Sequence, residues 1–393
     1  MKVKIIPFSA IRPVRDKANL FASRSYLTYS NKTIAEKISN NPYTFLQIIN
    51  PDFNLEKKLS GKKKFKLVKK KFQEFCNNNI LISDKNNSFY LYEQGCNLIS
   101  YVGLIALVSS DDYNNNNIKK HENTIHNREK MFLEYLEETR FQADAILLAH
   151  KNNNYLNKIY KKIKKSRAEY EFTTTDKVLH KLWKISNKTI VNNISQEFEK
   201  IKKVYIADGH HRCASTSKLK NNNNMMSLLI SEEQLRISSF NRLVKTSIKD
   251  SELFNKLKIN FYIKKTNLDV PKKQNEIIMF KSNQKYLLQP KKDSYIDNEI
   301  CRLGVSILFN NILFPILNIK DERKTDRIEF YANNIDFSKV KNTMNNKSYN
   351  IAFFLKPITI NEIKNVADNN KYMPPKSTYI EPKLRSGLTI YKF

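Results

Sequence analysis

Residues 204–216 read VYIADGHHRCAST. The β-branched and aromatic run from Val204 to Ala207 predicts a short buried strand, Asp208 ends it, and Gly209 can take a tight or left-handed turn at no steric cost. A helix follows, with the free N–H groups of its first turn facing the glycine. The chain has six glycines and six histidines in 393 residues, so the Gly209-His210-His211 triplet concentrates both. A strand, a tight turn and a helix make a unit of α/β construction with an anion-binding geometry. There Arg212 can grip phosphate oxygens with two N–H groups, and His210 or His211 can donate to a transferred phosphoryl group. Asp208 can hold a metal ion or activate a hydroxyl. The same residues also suit a plain helix start, with Asp208 as the cap and the histidines and arginine paired to local carboxylates.

Working outward, Phe65, Val68, Phe72 and Phe75 recur at steps of three and four and predict a basic helix with one apolar stripe. FYLYEQ (89–94) and ISYVGLIALVSS (99–110) read as a hairpin around a GCN turn, the second run being apolar enough for a central strand. REKMFLEYLEETRFQ has helical spacing and places IKKHENT near the start of a helix. TTTDKVLHKLWKIS is read as a further helix capped by Thr175 or Asp176. From about residue 236 a second unit begins, with strands in NRLVKTSI, NEIIMF, KYLLQP and YNIAFFLKP and a helix through RLGVSILFNNIL. The expectation is an α/β fold, mixed α+β being the alternative, in two regions of residues 1–235 and 236–393 without internal repeats.

The formal charge of +31 invites a polyanion partner. The excess is almost entirely lysine, 56 against 13 arginines, and it accompanies asparagine runs at 77–79, 114–117, 152–154 and 221–224. Lys, Asn, Ile, Phe and Tyr are the residues of A- and T-rich codons, so base composition accounts for the charge. Groove-reading arginines and zinc-finger spacings are absent, which argues against nucleic acid as the partner. No run approaches the roughly 18 apolar residues of a membrane span. Pro7 interrupts the short apolar segment at the start, and a cytoplasmic protein is expected. Cys76, Cys96, Cys213 and Cys301 form no CxxC pair and are read as reduced and mostly buried.

Gly61-Lys62 lacks the partner glycine of a P-loop, and no GxG occurs, which disfavours P-loop, Rossmann and ordinary protein-kinase chemistry. HENTIH resembles the metalloprotease HExxH but separates His121 and His126 by five, roughly 140° apart on a helix, which disfavours a catalytic zinc. MPPKSTYIEPKLRSGL (373–388) reads as a proline-bounded loop presenting Lys376, Ser377, Thr378 and Lys383 to a phosphate or a substrate carboxylate.

From PFSAIRP through NPYTFLQI, YLYEQ, IKKHENT, LHKLW, YIADGHHR and FNRLVK to MPPKSTYIEPKLRSGL, nearly the whole chain resembles the bacterial domain-of-unknown-function family 1015. Over about ten residues, the DGHHR element is also similar to free-serine kinases of the ParB and sulfiredoxin superfamily. These resemblances imply a ParB/sulfiredoxin-like element within a larger two-part mixed-sheet architecture. They imply phosphoryl transfer between a nucleotide, ATP or ADP with Mg²⁺, and free serine or O-phosphoserine, in either direction. Asp208, His211 and Glu122 would then be catalytic, Glu122 as base for the serine hydroxyl and Asp208 also as metal ligand. Gly209, His210, Arg212, His121, Lys376, Ser377 and Thr378 would hold phosphate or substrate. A phosphoserine phosphatase and a non-catalytic ParB-like nucleotide- or nucleic-acid-binding protein are the alternatives. The chain departs from the family pattern at Ser25-Tyr26-Leu27, where Pro-Tyr-Asp is usual, at Met131-Phe132, where an Asp-Arg pair is expected, and at Cys213, where tyrosine is usual.

Overall fold

The computed structural model describes residues 3–25, 28–96, 99–332 and 337–393. Tyr26 and Leu27, where the chain departs from the family's Pro-Tyr-Asp, and Asn97 of the GCN turn lie outside the described residues. The chain forms two compact units, the first made of Met1–Lys120, Thr124–Leu235 and Pro382–Phe393, the second of His121–Asn123 and Arg236–Glu381. KKHENT is therefore divided between them, and the 373–388 stretch begins in the second unit and ends in the first.

Unit one is built on a nine-stranded sheet of β1 (Ile5–Ile6), β2 (Phe89–Cys96), β3 (Ile99–Ser109), β4 (Ile118–Lys119), β5 (Ile146–His150), β6 (Tyr170–Thr173), β7 (Leu179–Ile185), β8 (Val204–Asp208) and β9 (Asn224–Ser231). Their order is β4-β8-β5-β9-β3-β2-β7-β6, with β1 on β3. β4–β8 and β5–β9 run parallel and the other pairs antiparallel, so the sheet is mixed. β2 and β3 form the expected hairpin, Tyr90 facing Ile105 and Glu93 facing Val102.

Three helices of this unit pack in series, the second touching both others. α1 (Gly61–Asn77) buries Val68, Phe72 and Phe75, as the apolar spacing predicts, and leaves Lys62, Lys63, Lys66 and Lys70 exposed. α2 (His126–Thr139) starts after KKHENT, and α3 (His210–Thr216) starts after Gly209. The main core holds Leu104, Leu148, Trp183, Phe198, Val204, Ile206 and Cys213 together.

The helix expected over TTTDKVLHKLWKIS is a correction. Leu179–Ile185 is strand β7, hydrogen-bonded to β2 on one side and β6 on the other. A strand paired on both edges buries His180, Leu182, Trp183 and Ile185, and those partners lie 84 to 96 residues away or across a turn, beyond the reach of local spacing. The cysteines also differ from expectation: of the three described, Cys213 is buried whereas Cys76 and Cys301 are only partly so.

Unit two carries a six-stranded antiparallel sheet of β11 (Phe240–Val244), β12 (Phe261–Lys265), β13 (Ile277–Lys281), β14 (Gln284–Pro290), β15 (Ile328–Ala332) and β16 (Ile351–Leu355). The order is β12-β14-β13-β16-β11-β15. A separate pair joins β10 (Arg236–Ser238) to β17 (Tyr379–Glu381). The whole is a mixed α/β fold. Among the described residues no helix is long and apolar enough to cross a membrane.

Three histidines sit in these interiors with 3% exposure or less, His121 in unit two and His150 and His180 in unit one. Burial holds each below the ordinary imidazole value, His121 to about 4 and His180 to about 3. The unfolded chain takes up these protons near pH 6.5 and the folded chain does not. Stability is therefore full above about pH 6.5 and falls as the pH drops toward 4, by about 1.4 kcal/mol per pH unit for His121 and for His180, with His150 acting in the same direction. Urea midpoints are expected to fall steadily from pH 7.5 to 5, and a flat profile over that range would refute the assignment.

Candidate functional site

β8 ends with an irregularity. Tyr205 faces Ala149 and Ile206 faces Leu148, but Asp208 faces Leu147, so Ala207 is an extra residue in the ladder. Such a bulge re-aims the side chain that follows it. Asp208 turns out of the sheet to 37% side-chain exposure instead of continuing the burial of Val204 and Ile206.

Gly209 then adopts φ 105° and ψ 29° and is itself the N-cap of α3. Asp208 is thus not the cap, a correction to the plain helix-start reading. Its carboxylate goes to two cations: Oδ2 accepts from Arg212 Nη2 at 2.6 Å and Oδ1 from Lys383 Nζ at 2.7 Å. Burial raises the carboxyl, but the charges of Lys383 and Arg212 outweigh it and hold the group at about 2. One carboxylate is thus shared by two cations at the turn.

The arginine lies across the glycine. A Cβ built on Gly209 would sit 3.0 to 3.2 Å from the Arg212 guanidinium, and Arg212 Nη1 also donates to the Ala145 carbonyl at 2.7 Å. Gly209→Ala combines a positive φ with a displaced guanidinium, and a loss of about 1–3 kcal/mol is expected. Urea denaturation checks it; an unchanged midpoint would show that the turn relaxes freely.

His211 Nε2 accepts the Ile125 backbone N–H at 3.0 Å, which places the proton of the neutral ring on Nδ1. Burial, then the nearby Arg128 charge, keeps His211 below its ordinary value. Nδ1–H is thus the donor left to this residue. His210 is 5% exposed. Ser215 Oγ donates to the carbonyls of Glu129 and His211, tying α3 to α2. Cys213, where the family usually has tyrosine, is fully buried, and burial pushes its thiol up to about 12, so it packs and does not react.

The remaining expected site residues belong to unit two. His121 is buried on an extended segment, not on a helix with His126, and its carbonyl accepts the Met373 N–H at 2.8 Å while Glu122 bridges Met373. Lys376 has φ 56°, with its ammonium 4.8 Å from the Phe240 ring centre and 5.9 Å from that of Phe330. Ser377 Oγ donates to the Pro374 carbonyl at 2.6 Å, and β17 begins one residue beyond Thr378. The expected loop is thus a turn followed by a short strand. Within unit one, the structure brings Asp208, Gly209, Arg212 and Lys383 together.

A cavity of about 310 Å³ adjoins them, walled by α1 and α2 and reaching Arg212 and Thr216. Met131 and Phe132, which stand where the family has an Asp-Arg pair, form part of its wall. No sequence signal marks this cavity, because its walls come from segments as far apart as Ile49 and Thr216.

A mixed α/β protein of two units, the first carrying a charged strand–turn–helix element, is the class these observations define. The model of the family described as protein of unknown function DUF1015 matches residues 5–306, and the chain belongs to that family. No curated protein matches it. Among solved structures it is similar to a free serine kinase in complex with AMP, at 11% identity and TM-score 0.40 over 73% of this chain and 90% of that one. It is also similar to a conserved hypothetical protein from Pyrococcus furiosus, at 12% identity and TM-score 0.39 over 74% and 94%. A third is C-terminally truncated SbnI from Staphylococcus aureus, at 14% identity and TM-score 0.40 over 70% and 82%.

Proposed function

We propose that this protein transfers a phosphoryl group between a nucleotide, ATP or ADP, and a small hydroxyl amino acid, with free serine and O-phosphoserine as the pair. The observation that carries the reading is the end of β8, where Asp208 is held ionised between Arg212 and Lys383. A phosphate entering there competes for both cations, and charge-assisted N–H···O bonds to phosphate are the stronger kind. The likeness of DGHHR to free-serine kinases supplies the substrate class.

In the direction of serine phosphorylation, the serine oxygen bonds to the terminal phosphorus and the bridging P–O bond of the nucleotide breaks. The hydroxyl proton passes to a base. A carboxylate at about 2 has almost no hold on a proton at neutral pH. The part of Asp208 is therefore electrostatic: it positions Arg212 and Lys383, which neutralise charge on the transferring group. Glu122 is the proposed base. His210 and the Nδ1–H of His211 would donate to phosphate oxygens, and His121, Lys376, Ser377 and Thr378 would hold the substrate.

Among the described residues no group of three or more His, Cys, Asp or Glu could hold a metal ion. Mg²⁺ needs less, one or two carboxylates completed by substrate phosphates and water, but both Asp208 oxygens are taken by Arg212 and Lys383, so Asp208 would have to release one of these cations to hold the ion. Bound there, the ion would screen the charge between the phosphates.

The test is incubation of the purified protein with Mg²⁺ and either ATP plus serine or ADP plus O-phosphoserine, followed by mass detection of products. The expected result is conversion in at least one direction. No conversion by the folded protein would overturn the proposal, and phosphate release from O-phosphoserine without nucleotide would replace it with hydrolysis.

A further inference from the structure

The cavity beside Arg212 has a division of chemistry that free serine does not explain. Its walls are apolar and aromatic, with Phe65 from α1 and Met131, Phe132 and Tyr135 from α2; Phe65 and Tyr135 meet edge to face with ring centres 5.5 Å apart. Two cations and one carboxylate line it as well: Lys64, which pairs with Asp52 at 3.2 Å, Arg212 of the charged turn, and Asp144, which accepts from the Ser386 hydroxyl. Apolar walls with cations select a ligand that has a flat, weakly hydrated body and an anionic end. Serine and phosphoserine lack the body, and inorganic phosphate gains nothing from the walls.

The volume narrows the class. About 310 Å³ stands at the small end of the roughly 300–1,000 Å³ range of ligand sites. A heterocyclic base and its sugar are of that size, and bases stack on aromatic side chains without demanding a particular sequence of donors and acceptors. We infer that this cavity takes the nucleoside part of the nucleotide, with its phosphates directed to Arg212. The inference rests on the phosphotransfer reading of the turn and assigns that site its nucleotide pocket.

Filling the cavity tests it. Met131 is 41% exposed, so Met131→Trp adds bulk at the wall without invading the core. Titration calorimetry of the full chain with ADP and with inorganic pyrophosphate separates nucleoside from phosphate binding. Wild type is expected to bind ADP at least tenfold more tightly than pyrophosphate. Met131→Trp should lose tenfold or more for ADP and stay within twofold for pyrophosphate. Met131→Ala, which leaves the cavity open but removes part of its wall, should lose less ADP affinity than Met131→Trp. Unchanged ADP affinity in Met131→Trp would overturn the inference and leave the phosphotransfer reading standing, as would equal affinities of wild type for the two ligands. Loss of pyrophosphate together with ADP in Met131→Trp would also count against it. Failure of wild type to bind either ligand would remove the reading and the inference together.

Discussion

Asp208→Asn is expected to lower kcat for phosphoryl transfer by about 10²–10³-fold, the size of effect seen when one preorganised electrostatic group is removed from an active site. Asparagine keeps the shape of the side chain and loses its charge. Arg212 and Lys383, now 2.6 and 2.7 Å from a carboxylate, would lose the counter-charge that holds them in place. The net charge of the cluster would rise by one, so binding of a phosphate-bearing ligand should hold or tighten while the geometry of transfer is lost. The signature is therefore a fall in kcat without a rise in KM for the nucleotide. A purely structural role would instead lower the melting temperature. That change should be small, because the pair is substantially exposed and such pairs are worth about 0–1 kcal/mol.

Arg242→Met should cost the second unit about 3–5 kcal/mol, the effect of stripping one partner from a buried ion pair. Arg242 has no exposed surface; its Nε donates to Glu322 at 2.9 Å, its Nη1 to the Phe240 carbonyl, and its guanidinium lies 5.3 Å from the Phe330 ring centre. The variant leaves the Glu322 carboxylate, 4% exposed, facing an apolar side chain with no counter-ion. The double change Arg242→Met with Glu322→Leu removes both charges and should recover most of the loss. Urea denaturation of wild type, the single variant and the double variant decides the matter. A double variant as unstable as the single one would mean that the cost lies in lost packing, not in an uncompensated charge.

Legibility of the site followed sequence distance. The turn from Asp208 to Arg212 is local: its glycine, its acid and its basic residues lie within one strand end and one helix start, and their spacing announced a charged strand–turn–helix element. The same spacing left open a cap role for Asp208, which Gly209 takes instead. Only the extra residue at Ala207, and Lys383 arriving from 175 residues downstream, turned that carboxylate toward a cation pair. The 373–388 stretch was visible as one motif but is shared between the two units, Lys376 in one and Lys383 in the other.

The sequence by itself determined the elements whose apolar spacing is unambiguous over a long enough run: α1 with its stripe, the β2–β3 hairpin, and the strand and turn at 204–209. It also determined the family, through the order of many short motifs along the chain. Tertiary structure alone decided that Leu179–Ile185 is a strand, since pairing on both edges overrode a spacing compatible with either state. It also decided that Met131 and Phe132 wall a cavity ending on Arg212. Side chains from α1, α2 and α3 enclose that space only after the helices pack, and no local pattern encodes an enclosure made by segments so far apart.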